Sequence, residues 1–118
     1  MKKVIASPDA PKAVGPYSQA IEAGGTLYIS GQLPINPADG KIPETIEEQT
    51  AQPLDNTAAI LKEVVKTTVL LDDMNNFAAM NGVYARYYTK DMPARVCYQV
   101  AKLPMGVKVE IDTIAVKK

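Results

Sequence analysis

Near the end of the chain Val107, Val109 and Ile111 alternate with Lys108, Glu110 and Asp112. This is the two-residue period of a strand with one apolar and one charged face, and it predicts a strand from Val107 to Val116. The same reading places a short first strand over residues 2–6 and two more over 20–23 and 26–30. The latter two flank Gly24-Gly25, a pair that tolerates the positive φ angles of a two-residue hairpin turn. Val64 to Leu71 is rich in β-branched and apolar residues and predicts a strand buried on both faces. Ala94 to Ala101 predicts a further strand.

Two stretches carry a helical period instead. Ile46, Leu54, Ala58 and Leu61 fall near one face of a helix that Thr45 can cap, with Glu47 and Glu48 at the positive end of its dipole. Pro53 sits inside that pattern, which predicts a kink or a late start, because proline deletes one backbone bond and crowds residue 49. Asp72-Asp73-Met74-Asn75 caps a second helix running to about Tyr88, with Phe77, Met80, Tyr84 and Tyr87 spaced to face a core. Packing is sufficient to account for that stripe. Between strand and first helix, Pro34, Pro37, Pro43 and the Asp39-Gly40 turn describe a surface loop. The step Leu61-Lys62-Glu63-Val64 passes from helix to strand with no Gly, Asn or Pro, shorter than such connections usually are.

The order is β-β-β-α-β-α-β-β, a two-layer α+β pattern with both helices on one face of a sheet, forming one domain over residues 1–118. Proximity along the chain would pair the last two strands as a hairpin. The second face of the sheet meets water or another subunit. Its charges at Lys108, Glu110 and Asp112 suit a partly wet interface better than a dry core.

Composition narrows the chemistry. The 118 residues include 13 basic and 13 acidic side chains, one cysteine and no histidine. Without imidazole the chain cannot supply Ser-His-Asp or Cys-His nucleophilic catalysis, nor the His ligands of a zinc hydrolase. Acid-base work falls to carboxylates, Tyr, Lys, Cys or water. Zero net charge leaves no electrostatic footprint for nucleic acid or an anionic membrane. One Cys cannot form an internal disulfide, and Val4-Ile5-Ala6 is too short for a signal-peptide core. No apolar run approaches the ~20 residues of a membrane span, so a reducing, cytoplasmic setting is expected. A domain this small would struggle to wall a deep cleft alone, which favours a site shared between subunits.

Arg95, Cys97 and Gln99 alternate onto one face of their strand. Arg95 reads either as an edge-strand salt bridge or as an anion clamp, since a guanidinium fork matches a carboxylate through two parallel hydrogen bonds. Glu110, between Val109 and Ile111, is either part of a solvated face or a buried acid whose raised pKa suits proton transfer. Cys97 has no His partner and reads as packing. Gly15-Pro16-Tyr17-Ser18 and Ser30-Gly31-Gln32 set hydroxyls beside flexible backbone.

The chain resembles the RidA (YjgF/YER057c) family of reactive intermediate deaminases. The resemblance rests on Gly15 to Ala20, Leu27 to Gln32, Val64 to Val69, Asp73-Met74 with Asn76-Phe77, Asn81 to Tyr84, and Pro93-Ala94-Arg95 continuing through Leu103-Pro104 to Val109-Glu110-Ile111. It covers nearly the whole chain in order. It implies a chorismate-mutase-like fold with two helices on one face of a mixed six-stranded sheet, and the final strand inserted beside the third and fourth. It implies a homotrimer with sites in the clefts between subunits and no cofactor or metal. The implied activity is hydrolysis of 2-enamine and 2-imine acids, such as 2-aminoacrylate and 2-aminocrotonate, to 2-keto acids and ammonia. By the same resemblance Arg95 anchors the carboxylate, Glu110 positions or activates water, and backbone around Cys97 helps orient it. Tyr17 and Ser30 line the cleft, Gly31 lets backbone approach the ligand, and Asn81 occupies a recurrent position. The family also offers a non-catalytic trimeric metabolite-binding regulator and, from an older label, an endoribonuclease or translation inhibitor, which the neutral charge and missing histidines disfavour. The chain departs from the family pattern in two places: residues usual between the first helix and Val64 are missing, and Val96 stands where Ser is common.

Overall fold

The computed structural model describes residues 1–58 and 63–116. Its strands are β1 (Lys3–Ile5), β2 (Ala20–Ala23), β3 (Thr26–Gln32), β4 (Glu63–Leu71), β5 (Ala94–Gln99) and β6 (Val109–Val116). Helix α1 (Ile46–Ala58) follows β3 and α2 (Phe77–Tyr87) follows β4. The six strands form one mixed sheet in the order β1-β2-β3-β6-β4-β5, the chorismate-mutase-like arrangement. Gly24 and Gly25 turn between β2 and β3 at φ 57° and 79°, the left-handed conformations that a two-residue hairpin demands.

The last two strands do not form the hairpin that chain proximity suggests. β5 lies parallel to β4 at the sheet edge, while β6 pairs antiparallel with both β3 and β4. The connection between them is tied to the end of β4 on both sides. Val100 N–H donates to the Leu71 carbonyl at 2.9 Å, and Asp72 N–H donates to the Lys108 carbonyl at 3.1 Å. The chain therefore steps across β4 instead of turning back beside β5.

Both helices cover one face. Ile46 and Leu54 of α1, Met80 and Tyr84 of α2, Val69 and Leu71 of β4, and Val109 and Ile111 of β6 form one buried cluster. The alternation predicted for the last strand holds: Val109, Ile111, Thr113 and Ala115 are buried, and Asp112 is exposed. β4 differs from expectation. Thr67, Val69 and Leu71 are buried, but Val65 and Lys66 are exposed and Thr68 and Leu70 only half-buried. The helices cover one face of this strand, and most of the other carries no layer of its own.

Helix α1 begins at Ile46 and runs through Pro53, so the proline does not delay its start. Thr45 caps it: Glu48 N–H donates to Thr45 Oγ1 at 3.1 Å, and that hydroxyl donates to Glu48 Oε1 at 2.9 Å. Its inner face is more polar than the apolar spacing predicts. Gln49, Thr50, Asn56 and Thr57 are buried beside Ile46, Pro53 and Leu54, whereas Ala58 is exposed. The buried amides are satisfied by distant backbone. Gln49 donates to the Pro43 carbonyl and accepts from Lys108 N–H, both at 2.8 Å, and Asn56 donates to the Ile35 carbonyl at 3.0 Å. Leu61 and the junction at 59–62 lie outside the described residues.

In α2, Met80, Val83 and Tyr84 are buried, but Phe77 and Tyr87 are about a third exposed. Tyr87 instead ties the helices together, its hydroxyl donating to Asp55 Oδ1 at 2.7 Å and to the Ala51 carbonyl at 3.3 Å. Burial, then the bond to and charge of Asp55, push its pKa up to about 12.

Candidate active site in two halves

The sequence-predicted site residues fall into two groups on opposite faces of the sheet. The first surrounds Glu110. Between the registered pairs Ile29↔Thr113 and Gln32↔Ile111, β3 carries one more residue than β6. This bulge holds Ser30 and Gly31, and bulges of this kind re-aim side chains beside functional sites. A cleft of about 330 Å³ opens there, lined by Tyr17, Ser30, Gly31 and Glu110 with Val14, Leu33 and Pro104.

Gly31 earns its place by what it lacks. A Cβ on it would stand 2.9 Å from Glu110 Cδ and 3.2 Å from Cγ and would overlap Oε2. The carboxylate thus occupies the space that a side chain would fill, a different reason for glycine than close backbone approach to a ligand. Ser30 Oγ donates to the Ser18 carbonyl at 2.6 Å, so what remains of its hydrogen-bonding capacity is as an acceptor. The Tyr17 hydroxyl accepts from Val14 N–H at 3.2 Å, folding the loop before β2 into the wall.

Glu110 is half-buried. Burial first, and the neighbouring Asp112 charge second, raise its pKa above the ordinary 4.5. The group is therefore a stronger base once ionised than a solvated glutamate.

The second group surrounds Arg95, the second residue of the edge strand β5. Its Nη1 donates to Asn81 Oδ1 of α2 at 2.7 Å. Its Cζ lies 4.9 Å from the Tyr84 ring centroid and 5.6 Å from that of Phe77, within cation–π range. Among the described residues no carboxylate is paired with it, so the salt-bridge reading does not describe this arginine. Cys97, two residues on, packs against the helix-covered core. Burial raises its thiol pKa, with partial opposition from the Arg95 charge, so the thiolate a nucleophile needs is disfavoured.

Arg95 and Glu110 do not meet within one chain. Arg95 registers with Thr67 and through it with Thr113, while Glu110 registers with Leu70 and through it with Tyr98. Two strand spacings and three residues of rise separate their Cα atoms by about 14 Å. Odd displacement along paired strands also sends the two side chains to opposite faces. Sequence reasoning missed Phe77, Tyr84 and Asn81 as a set around the guanidinium. Their spacing of four and three residues is also that of a core stripe, so only the presence of Arg95 opposite them marks the difference. Among the described residues no group of three or more Cys, Asp or Glu is placed to hold a metal ion, and no helix is long and apolar enough to cross a membrane.

Fold and site together define a small α+β protein that holds an arginine against an aromatic ring on one face of its sheet and a half-buried glutamate in a cleft on the other. The chain belongs to the endoribonuclease L-PSP family, also known as the YjgF/RidA family, whose model matches residues 7–117. A RutC family protein of Pyrococcus horikoshii is 50% identical over 126 aligned positions, covering 100% of both chains. That alignment is longer than the 118 residues of this chain, in keeping with residues that relatives carry and this chain lacks. The mouse protein named 2-iminobutanoate/2-iminopropanoate deaminase is 47% identical over 99% of this chain and 93% of its own. The crystal structure of Escherichia coli TdcF with bound serine superimposes with a TM-score of 0.94 at 38% identity, covering 98% of this chain and 99% of that one.

Proposed function

We propose that the protein is a hydrolytic deaminase of 2-imine and 2-enamine acids, working as a cytoplasmic homotrimer whose sites are completed between subunits. The observation that carries this reading is the split site: each chain holds, on one face, a guanidinium with no carboxylate partner among the described residues, and on the other a half-buried glutamate in a cleft. A second copy that brings its Arg95 to this chain's Glu110 cleft makes one complete site. The sheet face away from the helices supports such contact, since Tyr28, Val96 and Tyr98 expose apolar surface there. β5 is also an edge strand, open to a neighbour. The names of the mouse and bacterial relatives give the substrate class. The serine bound to TdcF is a carboxylated three-carbon molecule of the matching size.

The chemistry needs little from the protein. An enamine acid first takes a proton on C3 and becomes the iminium. Water then adds to C2 and gives one proton to a base, leaving a neutral carbinolamine. That proton passes to the amine nitrogen, and the C–N bond breaks to release ammonia as the hydroxyl gives up its own proton to solvent and becomes the keto C=O. Arg95 holds the carboxylate through its fork, fixing C2 near the cleft. Glu110 takes the proton from water and returns it to the leaving nitrogen, a cycle its raised pKa favours. Ser30 and Tyr17 supply hydrogen-bonding groups along the wall, and backbone beside Cys97 orients the ligand.

The test couples the protein to a pyridoxal-phosphate-dependent serine dehydratase, which releases 2-aminoacrylate, and follows pyruvate formation. Added protein should raise the rate above that of solvent hydrolysis. A rate unchanged by an intact trimer that still binds pyruvate would make it a metabolite-binding regulator instead.

A further inference from the structure

Resting on that reading of Arg95, we propose that Tyr84 is a positioning residue: its ring face holds the guanidinium in place while leaving the fork's N–H groups for the substrate carboxylate. An arginine that binds anions must be kept in one place without being neutralised. A carboxylate partner would fix it but compete with the substrate for the same donors. A ring face attracts the cation through its quadrupole and uses none of them.

The geometry around Arg95 has this form. Phe77, Asn81 and Tyr84 lie on successive turns of α2, and Asn81 takes one N–H at 2.7 Å. The nearer ring, Tyr84 at 4.9 Å, is itself locked. Its hydroxyl shares a 2.8 Å hydrogen bond with the hydroxyl of Thr67, and Thr67 is the residue of β4 that registers with Arg95 on β5. The Tyr88 ring packs against that of Tyr84, tilted by 46° with centroids 4.7 Å apart. A buried phenol costs free energy unless its hydroxyl is bonded, and phenylalanine would fill the same space without that requirement. The Thr67 bond therefore sets the ring's angle beneath the cation. Register, hydroxyl pair and ring contact close a loop of three residues, Arg95, Thr67 and Tyr84, that aims the guanidinium.

The test varies the ring's charge distribution with its shape nearly held. Tyr84→Phe, followed by mono-, di- and trifluorophenylalanine at position 84, drains the ring face of negative charge step by step. Pyruvate affinity is read by calorimetry, and KM and kcat by the coupled assay. Affinity should fall progressively, by about three- to thirty-fold across the series. KM should rise by the same factor with kcat nearly unchanged, because the anchor holds substrate and transition state alike. A merely structural role would lower the folded fraction and apparent kcat without grading KM by fluorine count. Affinity that stays flat while Arg95→Ala abolishes pyruvate binding overturns the proposal and leaves the reading of Arg95 intact. If Arg95→Ala binds pyruvate as the parent does, or the parent does not bind it, both fall together.

Discussion

Replacing Gly31 by alanine tests the Glu110 half-site with a single carbon. The new Cβ would sit 2.9 Å from Glu110 Cδ, against about 3.5 to 4.0 Å for carbon atoms in comfortable contact. The carboxyl group must retreat by roughly 0.6 to 1 Å to restore that separation. Gly31 is not among the glycines with positive φ, so alanine imposes no left-handed strain. The group that must yield is the far end of a flexible side chain, so the fold should tolerate the change. A catalytic group misplaced by about 1 Å costs on the order of 100-fold in rate. Gly31→Ala should therefore lower kcat/KM by about 100-fold in the dehydratase-coupled assay. Its melting temperature should stay close to the parent's, and so should its pyruvate affinity, since Arg95 is untouched. Because the loss runs through Glu110, the double variant with Glu110→Gln should be little worse than Glu110→Gln alone. A kcat/KM for Gly31→Ala within about threefold of the parent, or a double variant whose losses multiply, would refute this account of the glycine.

Five further outcomes follow from the same geometry. Arg95→Lys keeps the charge but loses the fork, and should lower kcat/KM by about 10- to 100-fold, the equivalent of one charged hydrogen bond. Glu110→Gln should keep pyruvate affinity and lose turnover. In the parent, activity should fall as pH drops through the raised Glu110 pKa, and Asp112→Asn should move that limb toward acid, because Asp112 is one of its causes. The stability effect has the opposite sense: a raised folded-state pKa contributes stability at low pH that is lost as pH rises through it. Glu110→Gln should accordingly melt higher than the parent at pH values above that raised pKa, as calorimetry at several pH values would read. Tyr87→Phe removes the tie from α2 to Asp55 and Ala51, and should cost about 0.5 to 1.5 kcal/mol in urea unfolding with kcat and KM unchanged.

Local chemistry was legible wherever one stretch of chain decides its own structure. The Gly24-Gly25 turn, the Thr45 cap and the alternation along β6 all follow from neighbours within a few residues. What was not legible depends on partners far away in sequence. The polar inner face of α1 is stable because Gln49 reaches Lys108 and Asn56 reaches Ile35, contacts that no helical period encodes. The position of β6 between β3 and β4 came from resemblance to a family, since proximity alone argues for the hairpin. Val64 to Leu71 reads as buried on both faces because its residues are apolar or β-branched, yet one chain supplies helices for only one side. At the site, residue types left Arg95 and Glu110 open between structural and functional roles and the family resemblance singled them out, but their separation onto opposite faces appears only when the β4 register links them.

That separation makes subunit complementation the most direct test of the central claim. Arg95→Ala and Glu110→Gln chains, each inactive alone, would be unfolded together in equal amounts and refolded, with mixed oligomers verified by mass spectrometry. If each site takes its arginine from one chain and its glutamate from another, random assortment gives intact pairs at about one quarter of the sites. The mixture should then regain roughly a quarter of the activity of parent protein carried through the same refolding. Mixed oligomers that form but remain as inactive as the separate variants would contradict a site built between chains.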